Sequence, residues 1–104
     1  MDLSAWQQRL LAFAAEREWP PYLNPKNLAM ALSVEVAELV ECYQWLDPEQ
    51  SRQLTNEEPG RTQVAEEMAD VLMYLLHLAR ETGIDLEAAC EAKIKRNAQK
   101  YPAP

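Results

Sequence analysis

Only two glycines, Gly60 and Gly83, occur in 104 residues, and the seven prolines gather in a few short stretches, so the places at which this chain can turn are few and easy to find. Between them no segment shows sustained period-two alternation with β-branched residues, which excludes a sheet and leaves helices. Asp2 can cap a first helix whose apolar residues Leu3, Trp6, Leu10 and Phe13 recur at three- and four-residue steps until Trp19-Pro20-Pro21 stops it. Asn24 followed by Pro25 is a cap with proline in the first turn, and opens a second helix running to about Trp45. Asp47 to Gly60 reads as a polar connection with room for one short helical turn around Glu49 to Leu54. A third helix fills Arg61 to about Thr82 and stops at Gly83, and Asp85 caps a fourth that ends near Lys100, before Tyr101-Pro102. The expectation is an all-α, four-helix bundle spanning residues 1–104 as one domain.

With 48% hydrophobic residues the chain is too apolar to stay disordered, yet at this length it can bury only roughly 60–65% of its unfolded surface, so homo-oligomerisation is expected to complete the bundle. The longest apolar runs, Val71 to Leu76 among them, are far below the roughly 20 residues of a membrane span. The start, Met1-Asp2-Leu3-Ser4, lacks the basic character of a signal peptide, and the expectation is a soluble cytoplasmic protein without membrane contact. Cys42 and Cys90 form no CxxC motif and read as small buried residues rather than a disulfide or zinc site. A net charge of −7 disfavours direct binding to a nucleic-acid backbone, but not to phosphates presented through a divalent cation.

One pattern occurs twice. Glu35-Val36-Ala37-Glu38-Leu39-Val40 on the second helix is echoed by Glu67-Met68-Ala69-Asp70-Val71-Leu72 on the third. At roughly 100° per residue, Leu28, Ala29, Leu32, Val36, Leu39, Val40 and Tyr43 form a core stripe on the second helix, with Glu35 at its edge and Glu38 one turn along. Val64, Met68, Val71, Leu72, Leu75, Leu78 and Ala79 form the equivalent stripe on the third, with Glu67 and Asp70 at its edge. If the two helices pack antiparallel, four carboxylates converge from one border and must take up protons or recruit cations. A single such motif is ordinarily a solvated helix face. Two on successive helices, with no basic residue one turn away, favour a shared site. Oxygen ligands without histidine or thiolate select Mg²⁺ first and Mn²⁺ second, and magnesium is commonly held jointly with substrate phosphates. A di-iron bundle would need Glu-x-x-His, and the only histidine, His77, has Tyr74 three positions before it. His77 itself reads as a surface or interface residue.

These residues resemble the MazG-like, all-α nucleoside triphosphate pyrophosphatases, and most nearly the dCTP pyrophosphatase branch. The resemblance rests on E-x-x-E followed by E-x-x-D, here Glu35/Glu38 and Glu67/Asp70 separated by 28 residues, and on their surroundings. Those are Asn27-Leu28-Ala29-Met30-Ala31-Leu32, Tyr43-Gln44-Trp45, Asp70-Val71-Leu72-Met73-Tyr74, and Lys93-Ile94-Lys95-Arg96-Asn97 leading to Lys100-Tyr101-Pro102. It implies Mg²⁺-dependent hydrolysis of a nucleoside triphosphate to monophosphate and pyrophosphate, with Glu35, Glu38, Glu67 and Asp70 as metal ligands. Glu38 is the candidate general base, with Glu41 one turn on as a helper.

Lys93, Asn97 and Tyr101 share one stripe of the last helix, usually mere polar surface; the resemblance places such residues by the phosphates and sugar. Tyr74, one turn past Asp70, can hydrogen-bond phosphate, pack under a sugar, or belong to an interface. Trp6 reads as core. Trp19 and Trp45 could staple loops or cover an interface; the resemblance places aromatics there in a base pocket, where they would stack on a nucleobase. Related enzymes can carry a histidine where this chain has Leu10. The expected substrate is dCTP or a modified dCTP, bound by a homodimer or homotetramer. The alternatives are a broad-range NTP or dUTP pyrophosphatase of the same superfamily, and a non-catalytic helical interaction module whose acids serve solubility.

Overall fold

The computed structural model describes residues 1–104, and they are helical throughout, without a strand. In chain order come α1 (Leu3–Glu16), a 3₁₀ turn (Pro20–Tyr22), α2 (Pro25–Glu41), α3 (Pro48–Gln53), a second 3₁₀ turn (Leu54–Asn56), α4 (Gly60–Thr82) and α5 (Leu86–Lys100). The local signals place most of the ends. Asp2, Asn24 and Asp85 accept hydrogen bonds from the backbone N–H groups of Ala5, Asn27 and Ala88 at 3.1, 2.9 and 3.1 Å. Gly83 closes α4 in the left-handed region, φ 67°, where its lack of a Cβ removes the steric penalty.

One boundary departs from the sequence reading. α2 stops at Glu41 rather than near Trp45, because the N–H groups of Cys42 and Tyr43 turn back to the carbonyls of Leu39 and Val40, three residues earlier, and the helix tightens into a turn. The short helical turn expected around Glu49 to Leu54 is present as α3, which makes the helix count five: the Asp47 side chain accepts from Gln50 N–H at 2.8 Å while Gln50 Oε1 accepts from Asp47 N–H at 3.0 Å, a reciprocal cap that stabilises it.

α4 is the centre of the subunit. α2 packs along it, α1 crosses its C-terminal half, and the Leu54–Asn56 turn sits on its first turn. Leu39 and Val40 late in α2, with Tyr43 in the turn that follows it, line one shallow groove with Val64 and Met68 early in α4, so the two helices run antiparallel. The Gln7 amide donates to the Leu76 carbonyl at 3.3 Å and ties α1 to α4. α1 buries Leu10 and Ala14, with Leu3 and Gln7 half-buried on the same face. Phe13 points away and Trp6 is only half-buried beneath the Arg9 guanidinium.

Burial is sparse. Val36, Val40 and Met68, expected in the core, are 42, 52 and 57% exposed, and Ala29 is exposed as well, because α4 covers only part of the apolar stripe of α2 and no other helix of the chain covers the rest. Cys42 is half-buried and Cys90 exposed, not buried as expected: Cys90 lies on α5, which buries no residue and packs extensively against no other element. His77, expected at a surface or interface, is instead buried among the helices around the C-terminal half of α4. The radius of gyration is 16.6 Å, against about 13 Å for a compact chain of this length. The accessible surface is 8096 Å², roughly 2,100 Å² more than the ~6,000 Å² typical of a monomer of this mass. No helix is long and apolar enough to cross a membrane.

Candidate functional site

The Asn24 cap, Pro25 at the first helical position and Asn27 Nδ2 donating to the Tyr22 carbonyl at 3.1 Å fix where α2 begins and hence its rotational phase. With Leu28 buried, that phase sets Glu35 and Glu38 at the border of the α2–α4 seam. On α4, Val64 buried against the hairpin brings Glu67 and Asp70 to the same border. Ligand oxygens from all four carboxylates lie within 4.8 Å of one another, with Glu38 exposed and the other three half-buried. The apolar groove of Leu39, Val40, Tyr43, Val64 and Met68 occupies the opposite border of the seam.

No cation of the chain balances this cluster. Its ion pairs join Arg17 to Glu16, Arg52 to Glu49 and Arg80 to Glu81, all elsewhere. Glu35 Oε2 and Glu67 Oε2 are buried without a hydrogen-bond partner. Desolvation first, then close approach to Glu38, then the surrounding carboxylate charges hold both carboxyls above their usual range. Glu66 adds to the field at Glu67; the sequence reading passed over it, although adjacency alone was a signal. An all-oxygen donor set with two orphaned oxygens and surplus negative charge fits a hard divalent cation of the Mg²⁺ or Mn²⁺ type.

The remaining candidates are dispersed. Glu41, the last residue of α2, is exposed and lies outside the carboxylate cluster. Tyr74 is half-buried one turn beyond Asp70, its ring 6.4 Å from that of His77. Trp45 stands 86% exposed in the turn after α2. Trp19 is pinned edge-on against Phe13 at 5.8 Å, and the Arg17 guanidinium lies 3.5 Å over the other aromatic of that pair, Phe13. Lys93 and Asn97 lie on α5 and Tyr101 at its C-cap, and no packing within the chain holds them against the acids.

A model of the MazG-like family matches residues 30–104. The chain is 40% identical over 99 residues to dCTP pyrophosphatase 1 of Homo sapiens, covering 88% of this chain and 54% of that protein. It is also 40% identical over 90 residues to dCTP pyrophosphatase 1 of Rattus norvegicus, covering 86% and 53%. It thus spans about half the length of these relatives. Among solved structures, a pyrophosphatase from Archaeoglobus fulgidus superposes with a TM-score of 0.90 at 36% identity, covering 99% of this chain and 94% of that one.

Proposed function

The chain belongs to the MazG-like family, and on that footing we propose that it is a Mg²⁺-dependent nucleoside triphosphate pyrophosphohydrolase that cleaves dCTP or a modified dCTP to the monophosphate and pyrophosphate. The observation that carries the reading is the convergence of Glu35, Glu38, Glu67 and Asp70, unpaired with any cation of the chain. These four carboxylates would hold the ion, with Mn²⁺ as a substitute. When bound, it neutralises the negative charge on the α- and β-phosphates and makes the α-phosphorus a better electrophile.

Glu38 would act as base. It is the exposed member of the cluster, reachable by solvent and by an attacking water, and its carboxylate lies beside those of Glu35 and Glu67. In-line attack at the α-phosphorus breaks the bond to the bridging oxygen, and pyrophosphate departs. Glu41, exposed at the end of α2, would help only through solvent. Tyr74, one turn beyond Asp70, would donate its phenol to a phosphate oxygen. Trp45, and Trp19 held by Phe13, offer indole faces for a base, while Lys93, Asn97 and Tyr101 supply charge and hydrogen bonds to the phosphates and sugar.

The last three are not gathered by one subunit. That, with about 2,100 Å² of surplus surface and the apolar groove opposite the acids, supports a homo-oligomer in which a second copy covers the groove and completes the site, in the cytoplasm where the nucleotides are. The experiment is release of pyrophosphate from each of the four deoxynucleoside triphosphates, with and without Mg²⁺. Glu38→Gln and Asp70→Asn should each lower turnover by orders of magnitude with helicity unchanged. Full turnover in both variants refutes the site; no turnover by the native protein on any nucleotide refutes the function.

A further inference from the structure

α1 ends in a turn that is strained and yet tied down on several sides. The N–H of Trp19 donates to the Ala14 carbonyl at 3.1 Å and that of Glu18 to the Ala15 carbonyl at 3.1 Å, the paired bonds of a helix stop whose left-handed seat is ordinarily glycine. Here the seat holds Glu18, the one non-glycine residue of the chain with a positive φ, 61°. Its Cβ crowds the backbone there, and such a residue persists only where the surrounding structure over-determines it. Part of the constraint lies in the backbone. The Trp19 carbonyl accepts from Tyr22 N–H at 2.8 Å, so both main-chain groups of Trp19 are engaged, and Pro20 and Pro21 stiffen the exit.

The rest of the constraint comes from side chains. A stop of this kind brings the residue after the left-handed seat back over the last full turn of its helix, and here it sets Trp19 on Phe13, ring centroids 5.8 Å apart and planes at 68°. Phe13 is itself held: the Arg17 guanidinium lies 3.5 Å over its ring, and Arg17 Nη1 donates to the Phe13 carbonyl at 2.9 Å. Tied in this way, Trp19 still leaves 45% of its surface to solvent. An immobile indole with an open surface suits a flat ligand, because a base that stacks on it need not pay to still a moving ring.

From this we infer that Phe13, clamped by Arg17, is a positioning residue for nucleotide binding: it holds the Trp19 indole as a preformed stacking face and so sets affinity for the base by acting through Trp19. The inference rests on the reading of Trp19 as a base-stacking residue, but not on hydrolysis. The test uses the full chain carrying Trp6→Phe and Trp45→Phe, in which Trp19 is the one indole left, with α,β-imido-dCTP and Mg²⁺ as an uncleavable probe. Time-resolved fluorescence anisotropy without nucleotide reads the motion of the indole, and quenching by the probe reads affinity. Phe13→Leu, at a half-exposed position, frees the indole on the subnanosecond scale and raises the probe's dissociation constant about fivefold. Its far-ultraviolet dichroism and its Mg²⁺-induced change in Tm stay as in the parent, and Phe13→Tyr restores both the rigidity and the affinity. Arg17→Met, at an exposed position, moves both readings the same way, by about twofold in the dissociation constant, and decides the matter should Phe13→Leu lose helicity. An indole equally rigid without the Phe13 ring, a freed indole that binds the probe as tightly as before, native readings in Arg17→Met, or a parent whose fluorescence the probe leaves unchanged overturns the inference. A parent quenched by the probe that releases no pyrophosphate from any nucleotide refutes only the proposed function.

Discussion

Replacing Gly60 by alanine sets two effects of known sign against each other. Gly60 opens α4 with an ordinary helical φ, so alanine should gain at most about 1 kcal/mol of helix propensity. The added methyl, however, falls inside van der Waals contact of the Leu54 carbonyl oxygen, 2.9 Å from Leu54 Cδ1 and 3.2 Å from the carbonyl carbon. Carbon–carbon contacts are comfortable from about 3.5 Å, so the Leu54–Asn56 turn must retreat from α4 by roughly half an ångström or more. The side-chain carbon can swing aside, but the carbonyl belongs to the backbone of the turn. Overpacking of this kind costs about 1–3 kcal/mol, which outweighs propensity and leaves a net loss of roughly 1–2 kcal/mol. At about 4–8 °C per kcal/mol for a chain of this size, the Tm should fall by some 4–16 °C at fixed protein concentration. Leu54→Ala in the same chain should not restore it, since the carbonyl remains. An alanine variant as stable as the parent, or fully rescued by Leu54→Ala, refutes the reasoning. Gly83→Ala is the contrast: open space surrounds that position, and its loss of about 1 kcal/mol arises from the left-handed backbone alone.

Three further outcomes can be read directly. Mg²⁺ at a hundredfold excess over its dissociation constant should stabilise the native protein by about 2.7 kcal/mol in thermal melts, and Glu67→Gln, which removes an orphaned carboxylate, should lose most of that shift. Burial holds the His77 imidazole below its ordinary 6.5, so as pH falls through 6.5 the unfolded chain binds a proton that the folded one refuses, and stability declines. Urea titrations from pH 8 to 5.5 should show a smaller decline in His77→Leu; the raised Glu35 and Glu67 carboxyls act with opposite sign, stabilising the metal-free fold as pH falls towards 4.5, and are common to both proteins. Trp45→Ala should raise KM for the preferred nucleotide by the equivalent of about 1–3 kcal/mol while leaving Tm nearly unchanged, since that side chain is almost free of the chain; equal effects on all four deoxynucleotides would show it to be unselective.

What was legible in the sequence was local or repeated. Asp2, Asn24, Asp85 and Gly83 each act within four residues of themselves, so their chemistry places helix ends without knowledge of the fold. The acidic border was readable because two helices carry it in the same phase, and phase survives packing. Periodicity, by contrast, marks a residue as apolar without saying what covers it. Phe13, Val36, Val40 and Met68 fit their stripes and still face outward, because the chain has no fifth long helix to lay against them. α1 packs through Leu3 and Leu10 of its expected stripe, but beside them through Gln7 and Ala14, a polar and a small residue, rather than through Phe13. Gly60 read as a loop breaker; its need for close approach to Leu54 is a tertiary fact that composition does not carry.

The isolation of α5 has a consequence for how turnover responds to dilution. A free helix of 15 residues is marginal in water, so in the proposed homo-oligomer the order of this one would depend on a neighbour that mass action supplies. The carboxylates, by contrast, are held by the α2–α4 hairpin within a single subunit. Cation affinity should therefore persist at concentrations where subunits part company, while the helix carrying Lys93 and Asn97 frays and hydrolysis ceases. A cell holding few copies would have loaded but idle subunits, and the dose of protein, more than the supply of metal, would set when the reaction begins.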